Sequence, residues 1–278
     1  QNPDQTSNSP RKKWLARLLV SCAALGTGVV LIGALIVILA MTLIYPKLPP
    51  MDQLTDYHPK MPLRIYTADH VLMGEFGEER RNLVRINKIP DIMKKAVLAI
   101  EDDRFYQHSG VDYIGILRAA LHNLVSNNRQ GASTITQQVA RNFFLTSEQT
   151  FKRKLYEVLL AWKIERTLTK DQILEIYLNQ IYLGQRAFGF ASAAQVYFGK
   201  PLQDITLAEA AMLAGLPKAP SANNPITNPT RAKQRQQYIL LRMKQLGYVT
   251  DQEYEKAKNE EIKVKTSRNE FSVHAQYV

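Results

Sequence analysis

Apolar and polar positions divide the chain into three regimes: an unbroken apolar run, a short alternating stretch, and then helical periodicity. From Leu18 to Pro46 no side chain is charged, and that span exceeds the ~20 residues an α-helix needs to cross a hydrocarbon core. A transmembrane helix over 18–45 is therefore expected. A cleaved signal peptide is the competing reading, but its apolar region spans only ~7–15 residues and ends in small residues. Leu31 to Ile44 offers bulky aliphatics instead. Prolines at 46, 49, 50, 59 and 62 follow and predict an extended stalk over 46–62. Leu63 to Thr67 and Val71 to Phe76 read as two strands of a hairpin around Ala68-Asp69-His70.

Beyond Pro90 the spacing is helical almost throughout. Pro90 to Ile100 carries Ile92, Ala96, Val97 and Ile100 on one stripe. Asp112 to Leu124 places Ile116, Leu117, Ala120, Leu121 and Leu124 together, with Asp112 as N-cap. Residues 125–131 read as a mobile loop. Phe151 to Thr167 shows the stripe Leu155, Val158, Leu159 and Trp162, and Thr169 caps a further amphipathic helix over Lys170 to Asn179. Small residues crowd 184–199, and helices over Thr206 to Leu216, Thr230 to Leu246 and Thr250 to Lys258 complete the set. Residues 261–278 return to strand-like alternation through Ile262, Val264, Phe271 and Val273, as the start of a further region. The pattern alone predicts a mainly α domain over 63–260.

Charge gives this layout a direction. The formal net charge is +11, of which residues 1–46 hold +3. Arg11, Lys12, Lys13 and Arg17 precede the apolar run, while only Lys47 and Lys60 follow within fifteen residues. The tail 1–17 is thus expected in the cytoplasm and everything after Tyr45 outside it. The remaining positive charge favours anionic partners. Nucleic acid is not expected in that compartment, which leaves anionic lipid headgroups or a phosphate-bearing substrate at the membrane. Cys22, the single cysteine, lies in the apolar run, so the exported part has no disulfide framework.

Four stretches hold candidate chemistry. Glu101-Asp102-Asp103-Arg104-Phe105-Tyr106-Gln107-His108-Ser109-Gly110 packs carboxylates, a histidine and aromatics at a predicted helix C-terminus, where the dipole disfavours acids. The bland alternative is a solvated acidic loop. Gly131-Ala132-Ser133-Thr134-Ile135-Thr136-Gln137-Gln138 contains a capping box, which accounts for Ser133 or Thr134 and Gln137 but not for Thr136, Gln138 or Arg141. Arg153 and Lys154 share a helix face with Glu157, either as a site or as an internal salt bridge worth ~0.2–0.5 kcal/mol. Lys170 to Asn179 is the fourth. Phe143-Phe144-Leu145 and Phe151 are core residues or a lip that dips into a bilayer.

Together these stretches resemble the peptidoglycan glycosyltransferase domain of class A penicillin-binding proteins, over about Leu63 to Lys258. The resemblance implies an α-helical, lysozyme-like lobe with a smaller membrane-proximal lobe. It implies polymerisation of lipid II into glycan strands, with release of polyprenyl diphosphate. Glu101 matches the catalytic base and Glu157 the second essential carboxylate. Asp102, Phe105 and His108 match the supporting shell. Thr134, Gln138, Arg141, Asn142, Arg153 and Lys154, with Tyr177 from the last motif, match positions that bind substrate. Arg141 stands where many members have lysine, which keeps the charge but changes its shape. Glu157 could orient cations, polarise the acceptor, or share a divalent cation such as magnesium or manganese. No metal ligand set and no other cofactor is called. The implied partners are lipid II, the growing lipid-linked glycan, the membrane and other cell-wall synthesis proteins. The implied location is the bacterial cytoplasmic membrane, with one span and the catalytic domain periplasmic or extracellular. A lytic transglycosylase and a non-catalytic precursor-binding module are the rivals. No Lys-Thr-Gly transpeptidase signature occurs.

Overall fold

The computed structural model describes residues 10–55, 63–69, 72–76, 79–125, 131–145 and 151–265. His70, Val71, the loop 126–130, Phe271 and Val273 lie outside them. The chain forms two compact units, divided after Pro49.

The first unit is the helix α1 (Pro10–Leu39), continued by a π-helical turn at Ala40–Ile44 and a 3-10 turn at Tyr45–Lys47. The hydroxyls of Thr27 and Thr42 donate at 2.9 Å to the carbonyls of Ala23 and Ile38, so neither needs an outside partner. Counted over the described residues, no helix is long and apolar enough to cross a membrane. Several side chains within α1 fall outside that set.

The second unit is mainly helical. Its first element is a helical turn, α2 (Asp52–Thr55), in which Leu54 is buried, where the prolines predicted extended chain. The expected hairpin is present as β1 (Leu63–Tyr66) paired antiparallel with β2 (Leu72–Phe76). A second, parallel pair joins β3 (Arg80–Arg81) to β4 (Ala187–Phe188), with the Arg81 guanidinium stacked 4.3 Å over the Phe188 ring. The helices are α3 (Asp91–Glu101), α4 (Tyr113–Val125), α5 (Ile135–Phe144), α6 (Phe151–Thr167), α7 (Lys170–Gln180), α8 (Phe190–Phe198), α9 (Leu207–Ala214), α10 (Pro229–Gln245) and α11 (Asp251–Asn259). Residues 261–265 form no strand, contrary to their alternation.

Capping sets several of these starts. Thr134, Thr169, Thr206 and Thr250 each accept from the backbone N–H three residues on, and the Gln or Glu at that position bonds back. Such reciprocal boxes satisfy orphan donors that a helix start otherwise leaves bare. The centre of the unit is α9, whose residues from Ala208 to Ala214 are all buried, because small side chains let α3 and α10 pack directly against it. α5 packs against both α6 and α7.

Two expected stripes are corrected. On α6 Leu159 is buried as expected, but the other fully buried residues are Glu157, Leu160, Ala161 and Ile164, whereas Leu155, Val158 and Trp162 are half-buried. A carboxylate therefore sits on the core-facing stripe, which hydrophobic periodicity reads as polar and turns outward. On α4 the grouped apolar residues are exposed, with Leu117 at 62% and Leu124 at 82%. Only Gly115 and Ala119 are buried there.

Candidate active site

The acidic motif is a knot that ties α3 to the start of α5. Asp102 caps α3, holds Nε2 of His108 at 3.0 Å, and accepts from the backbone N–H of Ile135 at 3.0 Å. The Thr134 hydroxyl donates to the Gly110 carbonyl at 2.6 Å. Gly110 has φ +88°, and a Cβ there would lie 3.1 Å from the backbone of Ala161. Both the left-handed backbone and the close approach of α6 call for glycine. Phe105 is buried, edge-on to His108 at 6.3 Å, with Lys170 Nζ 4.4 Å from its ring centroid.

Held this way, Glu101 ends α3 facing α5 and α7. Gln138 donates from Nε2 to Oε2 of Glu101 at 2.8 Å, and the buried Tyr177 hydroxyl reaches Oε1 of Gln138 at 3.5 Å. Burial pushes the Glu101 carboxyl above its ordinary value. The Gln138 hydrogen bond, Arg235 and Arg141 work in the opposite direction, and Asp102 adds to the rise. Burial, and after it the Glu101 charge, raises the Tyr177 hydroxyl well above its usual value, so that group is a hydrogen-bond donor.

A second cluster lies one residue along α5. Lys154 Nζ donates to Ser133 Oγ at 3.0 Å, Gln137 Oε1 at 3.2 Å and Glu157 Oε2 at 3.0 Å. Arg153 Nε lies 3.3 Å from Glu157 Oε1. Both ion pairs that the spacing allowed thus form, but onto a carboxylate that is only 1% exposed. Consecutive glutamines thus connect the two carboxylate centres, Gln138 to Glu101 and Gln137 to the Lys154–Glu157 pair.

The structure brings Glu101, Gln138, Tyr177 and Arg141 into one cluster and Arg153, Lys154 and Glu157 into the other. Asp102, Phe105, His108 and Thr134 form the buried layer beneath them, and Asn142 is exposed on the last turns of α5. A small cavity of about 80 Å³ opens beside Glu101, lined among others by Asp103, Ser133, Tyr238 and Arg242. Among the described residues, no three His, Cys, Asp or Glu side chains gather to hold a metal ion.

Several partners were not read from sequence. Asp103 is shared by Arg118 of α4 at 3.1 Å and Arg242 of α10 at 3.0 Å. Thr136 donates to Glu165 at 2.6 Å, and Lys170 reaches the same oxygen at 2.7 Å, which explains a hydroxyl the capping box left over. On α10, Arg235, Tyr238 and Arg242 recur at i, i+3 and i+7. That spacing puts them on one face and was the available signal.

Comparison with known proteins places the chain in a family. A family model described as transglycosylase matches residues 69–244. Penicillin-binding protein 1A of Neisseria gonorrhoeae is 55% identical over 265 residues, which are 95% of this chain and 33% of that protein. The chain therefore spans about a third of that relative's length. A protein of Cupriavidus necator, provisionally named a transglycosylase, is 52% identical over 233 residues, covering 84% of this chain and 92% of its own length. The crystal structure of penicillin-binding protein 1A from Haemophilus influenzae has 31% sequence identity and a TM-score of 0.46, over 77% of this chain and 22% of that one. Both the extent of the family match and the near-complete coverage of the Cupriavidus relative lead to one assignment: the chain belongs to the transglycosylase family.

Proposed function

We propose that this chain is a peptidoglycan glycosyltransferase that polymerises lipid II, with Glu101 as general base. The observation that carries the reading is the Glu101 carboxylate itself. Burial raises it and an amide hydrogen bond with two arginines restrains it, as suits a general base. It takes the proton from a sugar hydroxyl of the acceptor as that oxygen bonds to the donor's anomeric carbon. The bond from that carbon to the diphosphate breaks, and polyprenyl diphosphate leaves with the electron pair. One displacement of this kind inverts the anomeric centre.

Arg141, Arg153 and Lys154 are the cations proposed to receive the diphosphate. Fixed positive charge at a leaving group acts where charge develops, at no reorganisation cost. In this reading Glu157 keeps Arg153 and Lys154 in place. A general base contributes ~10²–10⁴-fold, so positioning and these cations supply the larger share of the rate.

The proposed setting is the outer face of the cytoplasmic membrane, with residues 18–45 as the anchor and the tail 1–17 in the cytoplasm. The uncharged run after Arg11, Lys12, Lys13 and Arg17 supports this. The proposed membrane-facing surface of the catalytic unit is α4, with Ile114, Leu117, Leu121 and Leu124 exposed, rather than the half-buried Phe143 and Phe144. Such an apolar strip suits a lipid interface. Incubating the purified chain with labelled lipid II and sizing the product tests the function. Glycan polymer is expected, and shortened strands from added peptidoglycan would indicate a lytic enzyme instead.

A further inference from the structure

α10 packs against both α3 and α9, and Glu101 is the last residue of α3. One face of α10 carries Arg235, Tyr238 and Arg242, and the latter two line the cavity beside Glu101. These two arginines are in different situations. Arg242 is already neutralised by Asp103 at 3.0 Å. The Arg235 guanidinium instead stacks over Tyr238, with Cζ 5.3 Å from the ring centroid, and its buried Nε has no hydrogen-bond partner. A partly buried cation without a carboxylate bonded to it carries a cost to the fold. The packing nevertheless makes room for it, because a Cβ on Gly215 would lie 2.8 Å from Arg235 Cγ.

We propose that Arg235 is a positioning residue for the chemistry at Glu101: seated against Tyr238, which lines the cavity beside the base, it holds the carboxylate in the ionised form that accepts the acceptor's proton. This inference rests on the proposed reading of Glu101 as base. Five groups act on that carboxylate: Gln138 and Arg141 of α5, Asp102 at the end of α3, Tyr177 of α7, and Arg235 of α10. The hydrogen bond from Gln138 and the charges of Arg235 and Arg141 favour ionisation, with Arg235 acting ahead of Arg141. Desolvation opposes them and is the largest influence. In return, Glu101 supports the Arg235 charge against the burial that lowers it. The two residues stabilise each other's charged state.

The test is the pH profile of lipid II polymerisation by the full chain and by R235Q and R235K, with thermal unfolding recorded for each. Activity that needs ionised Glu101 rises with pH through that group's titration. Removing the guanidinium should move the rising limb of R235Q to higher pH by on the order of one unit, with much of the rate recovered in alkali. R235K should keep the limb close to that of the wild type. A folded R235Q whose rate is depressed equally at every pH, with the limb unmoved, overturns the proposal. If R235Q fails to fold, R235K decides: a retained limb and rate support it, and a uniform loss with no recovery in alkali overturns it. Should the wild type make no polymer at any pH, the functional reading fails. Carbon-13 titration of the Glu101 carboxyl, assigned with E101Q, then decides the Arg235 coupling without turnover.

Discussion

Gln138 donates its side-chain N–H to the Glu101 carboxylate across 2.8 Å, an interaction that an amide at position 101 can also accept. Glu101→Gln should therefore keep the site's shape and precursor binding while polymerisation falls at least ~10²-fold, the minimum expected of a lost general base. A residual rate above about a tenth of wild type would remove Glu101 from that role. The same variant has a stability signature. Because burial raises the carboxyl, its stabilisation is complete below the unfolded-state value and is lost as pH rises through the folded-state value. Thermal melts should show E101Q gaining on the wild type with rising pH across that window, and the two converging in acid.

Arg153→Ala and Lys154→Ala should both slow turnover but differ in their effect on stability. Glu157 is 1% exposed, whereas the Arg153 side chain is 20% and the Lys154 side chain 49% exposed. Removing Arg153 strips one oxygen of a buried carboxylate and should cost about 1–3 kcal/mol. Removing the half-exposed lysine should cost about 1 kcal/mol or less. Equal losses in chemical denaturation would mean that the two cations share Glu157 evenly.

Helix boundaries were legible because local chemistry fixes them, and the Thr134–Gln137 box and the Thr169 cap form as their sequence implied. The direction of a helix face was less legible. The buried stripe of α6 contains Glu157, which no hydrophobicity pattern assigns to a core, and α4 leaves uncovered the residues that look most like core. Arg235 was missed because it lies 134 positions after Glu101, and only packing of α10 on α3 brings them together. Local motifs name the chemistry, but long-range partners need the fold.

Asp102→Ala should destabilise the domain by about 1.5–3 kcal/mol, since it leaves two donors without their charged acceptor. A double-mutant cycle with His108→Ala should return a coupling of at least about 0.5 kcal/mol. Additive losses would show that the imidazole is held by packing on Phe105 alone.

The proposed membrane-facing role of α4 predicts a separation of effects. In the unit from Pro50 onward, Leu117→Ser with Leu121→Ser should weaken binding to anionic vesicles while changing stability by no more than about 0.5 kcal/mol per site. Polar replacement of Phe143 and Phe144 should mainly lower the melting temperature. Vesicle binding that survives the α4 changes and fails with the phenylalanines would move the contact to the end of α5.

Gln137 and Gln138 differ by a single step of α5, a rise of about 1.5 Å and a turn of about 100°. The amide that holds the proposed base of α3 and the amide that holds the proposed cation of α6 are therefore mounted on one short rod. A tilt of this rod would shift both amides together. A deletion between Thr134 and Gln138 would instead turn one glutamine away from its carboxylate. In the proposed reading, the spacing that a sugar diphosphate must match depends on the pitch of this helix, and a substrate longer or shorter by one bond should lose rate more than binding.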